Sequence, residues 1–142
     1  MSRPSHDEYF LSLLEHVAAR STCARRKVGA IIVDADHRIL STGYNGVPRG
    51  ITHCTDIPCP GAHDLPGQTQ LCWAVHAEMN AILQCHDLRY AHTLYTTCAP
   101  CFQCAKVIAN TNVQRVVSLT DYADHMGRML LELVHITVEI RA

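Results

Sequence analysis

The order of elements written into the chain constrains its fold more than any other feature. Two β-branched stretches, Val28 to Asp34 and Arg38 to Thr42, are separated only by Ala35-Asp36-His37, a spacing that predicts an antiparallel hairpin. Ahead of it, residues 5–21 place Tyr9, Phe10, Leu13, Leu14, Val17 and Ala18 at helical spacing, with Ser5 or Asp7 as the cap. Behind it the pattern alternates. Trp73 to about His86 is helical, with Val75, Met79, Ile82 and Leu83 on one face; Thr93 to Thr97 is a short strand, and Cys101 to Asn110 a helix. Val113 to Leu119 is a buried strand, Gly127 to Val134 a leucine-rich helix, and Ile136 to Ile140 a final strand. A hairpin followed by helix–strand units predicts an α/β fold, a three-layer α/β/α arrangement with a mixed five-stranded sheet.

The 142 residues fit one domain spanning 1–142, and 48% hydrophobic against 18% charged residues supply its core. A net charge of −1 excludes the basic excess that a nucleic-acid-coating or membrane-surface protein needs. The longest apolar run, Val28 to Val33, falls far short of the ~20 residues of a membrane span. The opening MSRPSHDEYF carries no basic-then-apolar export pattern, so a cytoplasmic location is expected. Gly43 to Leu71 holds five of the seven glycines and four of the six prolines, which predicts a long irregular excursion. Its cysteine-rich part, at about 47–72, reads as a loop insertion.

Eight cysteines in a chain without an export signal point to metal ligation rather than disulfides. His76-Ala77-Glu78 opens one expected helix and Pro100-Cys101-Phe102-Gln103-Cys104 another. Cys101 and Cys104, three apart, bring both sulfurs to one side of a helix N-terminus, where the helix dipole favours thiolate. With His76 they make three ligands and leave a fourth tetrahedral position open, the mark of a catalytic zinc site. Glu78 is not needed as a ligand and is placed to move protons for a zinc-activated water. A redox pair or half of a zinc ribbon is the alternative for the two cysteines alone. The H-x-E…P-C-x-x-C pairing is the signature of zinc-dependent nucleobase deaminases.

Four segments carry a closer resemblance: Cys23-Ala-Arg-Arg-Lys-Val-Gly-Ala-Ile-Ile-Val33, Ser41-Thr-Gly-Tyr-Asn-Gly-Val-Pro-Arg-Gly50, His76-Ala-Glu-Met-Asn-Ala-Ile82 and Thr97-Cys-Ala-Pro-Cys-Phe-Gln-Cys104. Over residues from about 8 to 140 the chain resembles the deoxycytidylate (dCMP) deaminase branch of the cytidine deaminase superfamily. The Gly43-Tyr44-Asn45-Gly46-x-Pro48-x-Gly50 run narrows the resemblance to that branch. It implies a cytidine deaminase-like fold and hydrolysis of dCMP to dUMP and ammonia, supplying dUMP for thymidylate synthesis. It carries His76, Cys101 and Cys104 over as zinc ligands and Glu78 as the proton shuttle. Asn45 matches a contact to the sugar hydroxyl, and the main chain of Ala77 one to the base. From the residues alone, Asn45 reads first as a turn residue accepting positive φ before Gly46. The resemblance further implies a hexamer activated by dCTP with magnesium and inhibited by dTTP, with Tyr44, Asn45 and Gly46 in the regulatory region.

A monophosphate needs a cationic or amide-rich receptor. Among Arg20, Arg25, Arg26, Lys27 and Arg49, Arg26 is the first candidate, against the reading of solvated charges beside a strand. Tyr122 matches an aromatic set against the pyrimidine in relatives, or else covers the sheet edge. Some members of the branch hold the loop with a second zinc at the positions of Cys23 and Cys54. Here Cys59 and Cys72 complete the set, with His53 and His63 in reserve, and buried free thiols are the alternative. Two other functions compete: a deaminase of cytidine or of tRNA adenosine, and a zinc-stabilised binding module without catalysis.

Overall fold

The computed structural model describes residues 2–65 and 71–141. Residues 66–70 of the expected cysteine-rich insertion, and the terminal residues 1 and 142 of the expected 1–142 domain, lie outside the described residues. Helix α1 (His6–Ala18) is followed by strands β1 (Gly29–Val33) and β2 (Ile39–Tyr44), and then by the long excursion. Helix α2 (Ala77–Gln84), β3 (Thr93–Cys98), α3 (Phe102–Ile108), β4 (Arg115–Thr120), α4 (Met126–Leu133) and β5 (Thr137–Ile140) complete the order. The strands form one sheet in the order β2-β1-β3-β4-β5. β1 runs antiparallel to both β2 and β3, whereas β3, β4 and β5 are parallel, so the sheet is mixed as expected.

Period-2 alternation sorts the strand residues between two cores. Ile31, Val33, Tyr95 and Val117 face α1 and meet Phe10, Leu11 and Leu14. Ala30, Ile32, Leu94, Val116 and Val138 face the other way, against Ala77 and Ala81 of α2, Ala105 and Ile108 of α3, and Leu131 of α4. The small residues of α2 are matched by Gly43 of β2, where an added Cβ would stand 2.3 Å from the Ala81 amide nitrogen and 2.4 Å from the Ala77 carbonyl oxygen. That close approach extends β2 through Gly43 to Tyr44, two residues beyond the expected strand end. Helix α2 begins at Ala77 rather than Trp73 because the backbone of Gly46 and Val75 pairs as an isolated antiparallel bridge and keeps Val75 extended. A 3₁₀ turn at Leu88–Tyr90, capped by Asp87, lies between α2 and β3.

Ser5 caps α1 in a reciprocal capping box with Glu8. Asp7 has a different task. It accepts a forked hydrogen bond from Arg115 of β4, a 2.6 Å bond from the Tyr95 hydroxyl, and an ion pair from Arg141. Arg115 in turn pairs with Glu139 of β5. The side chain of Asp7 is only 13% exposed, and the hydrogen bond from Arg115 holds its pKa down at about 2 against the opposing effect of burial.

Because the folded-state pKa lies below the ordinary carboxylate value, this contribution is complete above about pH 4 and is lost as pH falls towards 2. Asp7→Asn is expected to cost roughly 1.5–3 kcal/mol at pH 7 in denaturant unfolding. The gap between the variant and the parent should close between pH 4 and pH 2; a gap independent of pH there contradicts the assignment.

Candidate active site

Two helix N-termini meet above the sheet. His76 is the N-cap of α2 and Cys101 the N-cap of α3, both in extended conformation, and neither side chain caps its own helix. Both turn towards each other instead. His76 Nδ1 lies 3.3 Å from Cys104 Sγ and 3.4 Å from Cys101 Sγ. Among the described residues these three form the group of potential metal ligands whose donor atoms all lie within 4.8 Å of one another. One imidazole and two thiols around a tetrahedral ion stand about 3.6 Å apart, from Zn–N of ~2.0–2.1 Å and Zn–S of ~2.3 Å. The donor set and its spacing fit zinc.

The hydrogen bond from the Cys104 thiol, and then the neighbouring His76, drive the Cys101 pKa well below the usual thiol range in spite of burial. The same Cys101 contact, with burial, pushes Cys104 up. Cys101 raises the pKa of His76 against the desolvation of its ring. Glu78, 4% exposed in the first turn of α2, completes the group. Its Oε2 accepts from the Cys104 thiol at 3.3 Å, and its Oε1 from the Thr96 hydroxyl at 2.9 Å. Thr96 escapes sequence reasoning, although strand alternation places it on the same face as Leu94, towards α2.

The cluster forms one wall of a cavity of about 440 Å³. Arg26, Asn45, Ala77 and Tyr122 line it, so four of the expected substrate residues share the pocket. Arg26 lies over the Tyr122 ring, 5.5 Å from its centroid. Asn45 holds the backbone around Arg26: Oδ1 accepts from Val28 N–H and Nδ2 donates to the Arg26 carbonyl. The carbonyl of Tyr44 accepts from Asn80 of α2 at 2.8 Å, and Gly46 pairs with Val75. Ala62 and Asp64 of the excursion close the far side, and Arg25 ties that segment down through the carbonyls of Gly61 and Leu65. By sequence Arg25 is one of several neighbouring cations, and only the fold brings it to these carbonyls thirty-six and forty residues on.

Cys23 and Cys54 are buried, and Cys23 and Cys72 line the same cavity. The Cys59 amide donates to Cys54 Sγ at 3.3 Å. Burial raises the Cys59 thiol, but hydrogen bonds from the Trp73 and Gly61 backbone and from the Cys54 and Cys72 thiols outweigh it. The four sulfurs gather in one region without closing to the spacing of the His76 cluster. His53 and His63 are exposed.

The family model described as the cytidine and deoxycytidylate deaminase zinc-binding region matches residues 4–120. The chain belongs to the cytidine and deoxycytidylate deaminase family. It is 46% identical over 125 residues to the deoxycytidylate deaminase of Mycobacterium phage D29, a match covering 82% of this chain and 96% of that protein. The deoxycytidylate deaminase of Saccharomyces cerevisiae is 37% identical over 142 residues, which is 97% of this chain but 45% of the yeast protein. In structure the chain is similar to the dCMP deaminase of cyanophage S-TIM5 crystallised with dCMP and dUMP. The TM-score is 0.78 at 28% identity, with 99% of each chain covered. Among the described residues no helix is long and apolar enough to cross a membrane.

Replacing a soft sulfur donor while keeping its size tests the metal centre of this deaminase-family chain. Cys104→Ser is expected to weaken zinc binding by roughly a hundredfold or more, read by competition with a chromogenic chelator. Unchanged zinc affinity would remove Cys104 from the ligand set.

Proposed function

We propose that the chain is a single-domain zinc-dependent hydrolase that converts dCMP and water into dUMP and ammonia, supplying dUMP for thymidylate synthesis in the cytoplasm. The observation that carries this reading is the buried Glu78, one carboxylate oxygen turned towards the His76–Cys101–Cys104 cluster inside a nucleotide-sized cavity. The near-full-length similarity to the phage D29 deoxycytidylate deaminase supports the same substrate.

His76, Cys101 and Cys104 would hold the zinc, which when bound would supply the Lewis acidity that makes water nucleophilic at neutral pH. Glu78 Oε2 takes a proton from the water that attacks C4 of the cytosine ring. It delivers that proton to N3. It then takes the remaining hydrogen of the added water from the C4 hydroxyl and passes it to the amine, which leaves as ammonia while the C4 oxygen becomes the carbonyl. The main chain of Ala77, in the first turn of α2, faces the base, and the Tyr122 ring covers it. Asn45 retains a second Nδ2 hydrogen and a second Oδ1 lone pair for the sugar hydroxyl while it anchors residues 26–28. The Arg26 guanidinium, stacked on Tyr122, receives the phosphate.

Regulation by dCTP with magnesium as activator and by dTTP as inhibitor, in a hexamer, belongs to the same proposal. Its support is mechanical. Tyr44 and Gly46 are hydrogen-bonded to Asn80 and Val75, on either side of His76 and Glu78, so an effector at Tyr44–Asn45–Gly46 acts on the catalytic helix directly. A second zinc at Cys23, Cys54, Cys59 and Cys72, with His53 and His63 in reserve, would order the excursion that walls the cavity.

Glu78→Gln is expected to retain zinc and lower turnover of dCMP by at least about a thousandfold. Deoxycytidine and dCTP, assayed beside dCMP with the parent enzyme, should react poorly. Equal activity on all three would move the chain to another branch of the family. Elemental analysis of the purified protein should give two zinc ions per chain; a single ion would leave the four cysteines as thiols.

A further inference from the structure

We propose that Thr96 is a positioning residue for deamination: its hydroxyl fixes the Glu78 carboxylate with Oε2 turned to the His76–Cys101–Cys104 cluster. The inference rests on the deamination reading above and adds a residue to it. Thr96 sits in β3, the central strand, fully buried and register-paired with Ala30 on one side and Ser118 on the other. Its side chain points into the layer shared with α2, because Leu94 on the same face packs against that core. A buried hydroxyl in such a layer requires a partner, and the Thr96 hydroxyl reaches Glu78 Oε1 at 2.9 Å. The Cys98 carbonyl, just ahead of the turn that leads into Cys101, lies 3.0 Å from the Thr96 hydroxyl oxygen and shares its single hydrogen with Glu78 Oε1, the nearer acceptor.

The two oxygens of Glu78 therefore face different things. Oε1 is tied to the rigid centre of the sheet through Thr96, and Oε2 meets Cys104 Sγ. With one oxygen held, rotation about the last side-chain bond is suppressed, and the other oxygen stays pointed at the reacting water. Helix α2 alone does not impose this, since a glutamate in a first helical turn has several staggered rotamers. The arrangement divides the work: α2 delivers the carboxylate, and β3 sets its orientation. A misplacement of a proton-transfer group by a fraction of an ångström lowers the rate without weakening substrate binding.

The test compares Thr96→Val, which keeps the shape and removes the hydroxyl, with Thr96→Ser, which keeps the hydroxyl. All proteins are loaded with zinc, assayed on dCMP and crystallised. For Thr96→Val, kcat should fall roughly ten- to a hundredfold with KM changed by less than about twofold. Its zinc content should equal that of the parent, and Glu78 should occupy more than one rotamer in the electron density. Thr96→Ser should restore kcat to within about threefold of the parent and return Glu78 to one rotamer. Parental turnover in Thr96→Val with Glu78 unmoved overturns the proposal, as does a serine variant as slow as the valine one. Should the valine variant fail to fold, Thr96→Ala replaces it, and the serine-to-alanine ratio reads the same difference. A parent enzyme inactive on dCMP would defeat the deamination reading, while the Glu78 rotamers would still decide the role of Thr96.

Discussion

Two missing side chains bring the site together. The N-terminus of α2 and that of α3 meet at one point above the sheet, and a glycine lets a neighbouring element press on each: Gly43 of β2 on α2, and Gly127 of α4 on the turn before α3. Gly43 lets α2 lie on β2 with backbone against backbone. Gly127 does the same for α4, where an added Cβ would stand 2.4 Å from the Pro100 carbonyl oxygen and 2.9 Å from the Cys101 carbonyl carbon. Helix α4 thus presses on the turn that presents Cys101, while β2 fixes the height of His76 and Glu78. These two contacts hold in place the backbone that carries His76 and Cys101, the N-caps of α2 and α3. Packing at the level of single methyl groups sets the geometry of the chemistry.

Much of this was legible in the amino-acid order. Alternation and helical spacing give the strands, the helices and the mixed sheet, because those signals are local. The H-x-E and C-x-x-C spacings give the cluster for the same reason: each pair lies within one turn, and only the meeting of the two pairs is non-local. Other features were hidden. Tyr9 looks like a core residue by spacing, yet it is 47% exposed, while Leu11 packs inwards in the cluster with Ile31, Val33, Tyr95 and Val117. The extended conformation of Val75 is imposed by pairing with Gly46, so helical periodicity overran the start of α2. Thr96 and Arg25 act across the fold, on Glu78 and on the excursion, and no spacing in the sequence encodes a partner eighteen or forty residues away.

The excursion between β2 and α2 is held both by Arg25 from outside and by its own cysteine group. Arg25 fastens it by two carbonyls, and Cys59 sits among Cys54, Cys72 and the Trp73 backbone. Because Cys23 and Cys72 belong both to this cysteine group and to the cavity wall, the loop and the pocket share residues rather than merely touching. Anything that alters the sulfurs alters the far wall of the pocket at the same time.

The network around Asp7 spans almost the full length of the chain, linking residue 7 to residues 115, 139 and 141 on the side of the sheet opposite the ligand cluster. During synthesis α1 emerges well before its ionic partners in β4 and β5. The helix can rest its apolar face on the hairpin early, yet its final seating must wait until β5 and Arg141 have left the ribosome. Removing the residues from Glu139 to Arg141 would therefore loosen α1, so α1 and β5 behave as one structural unit.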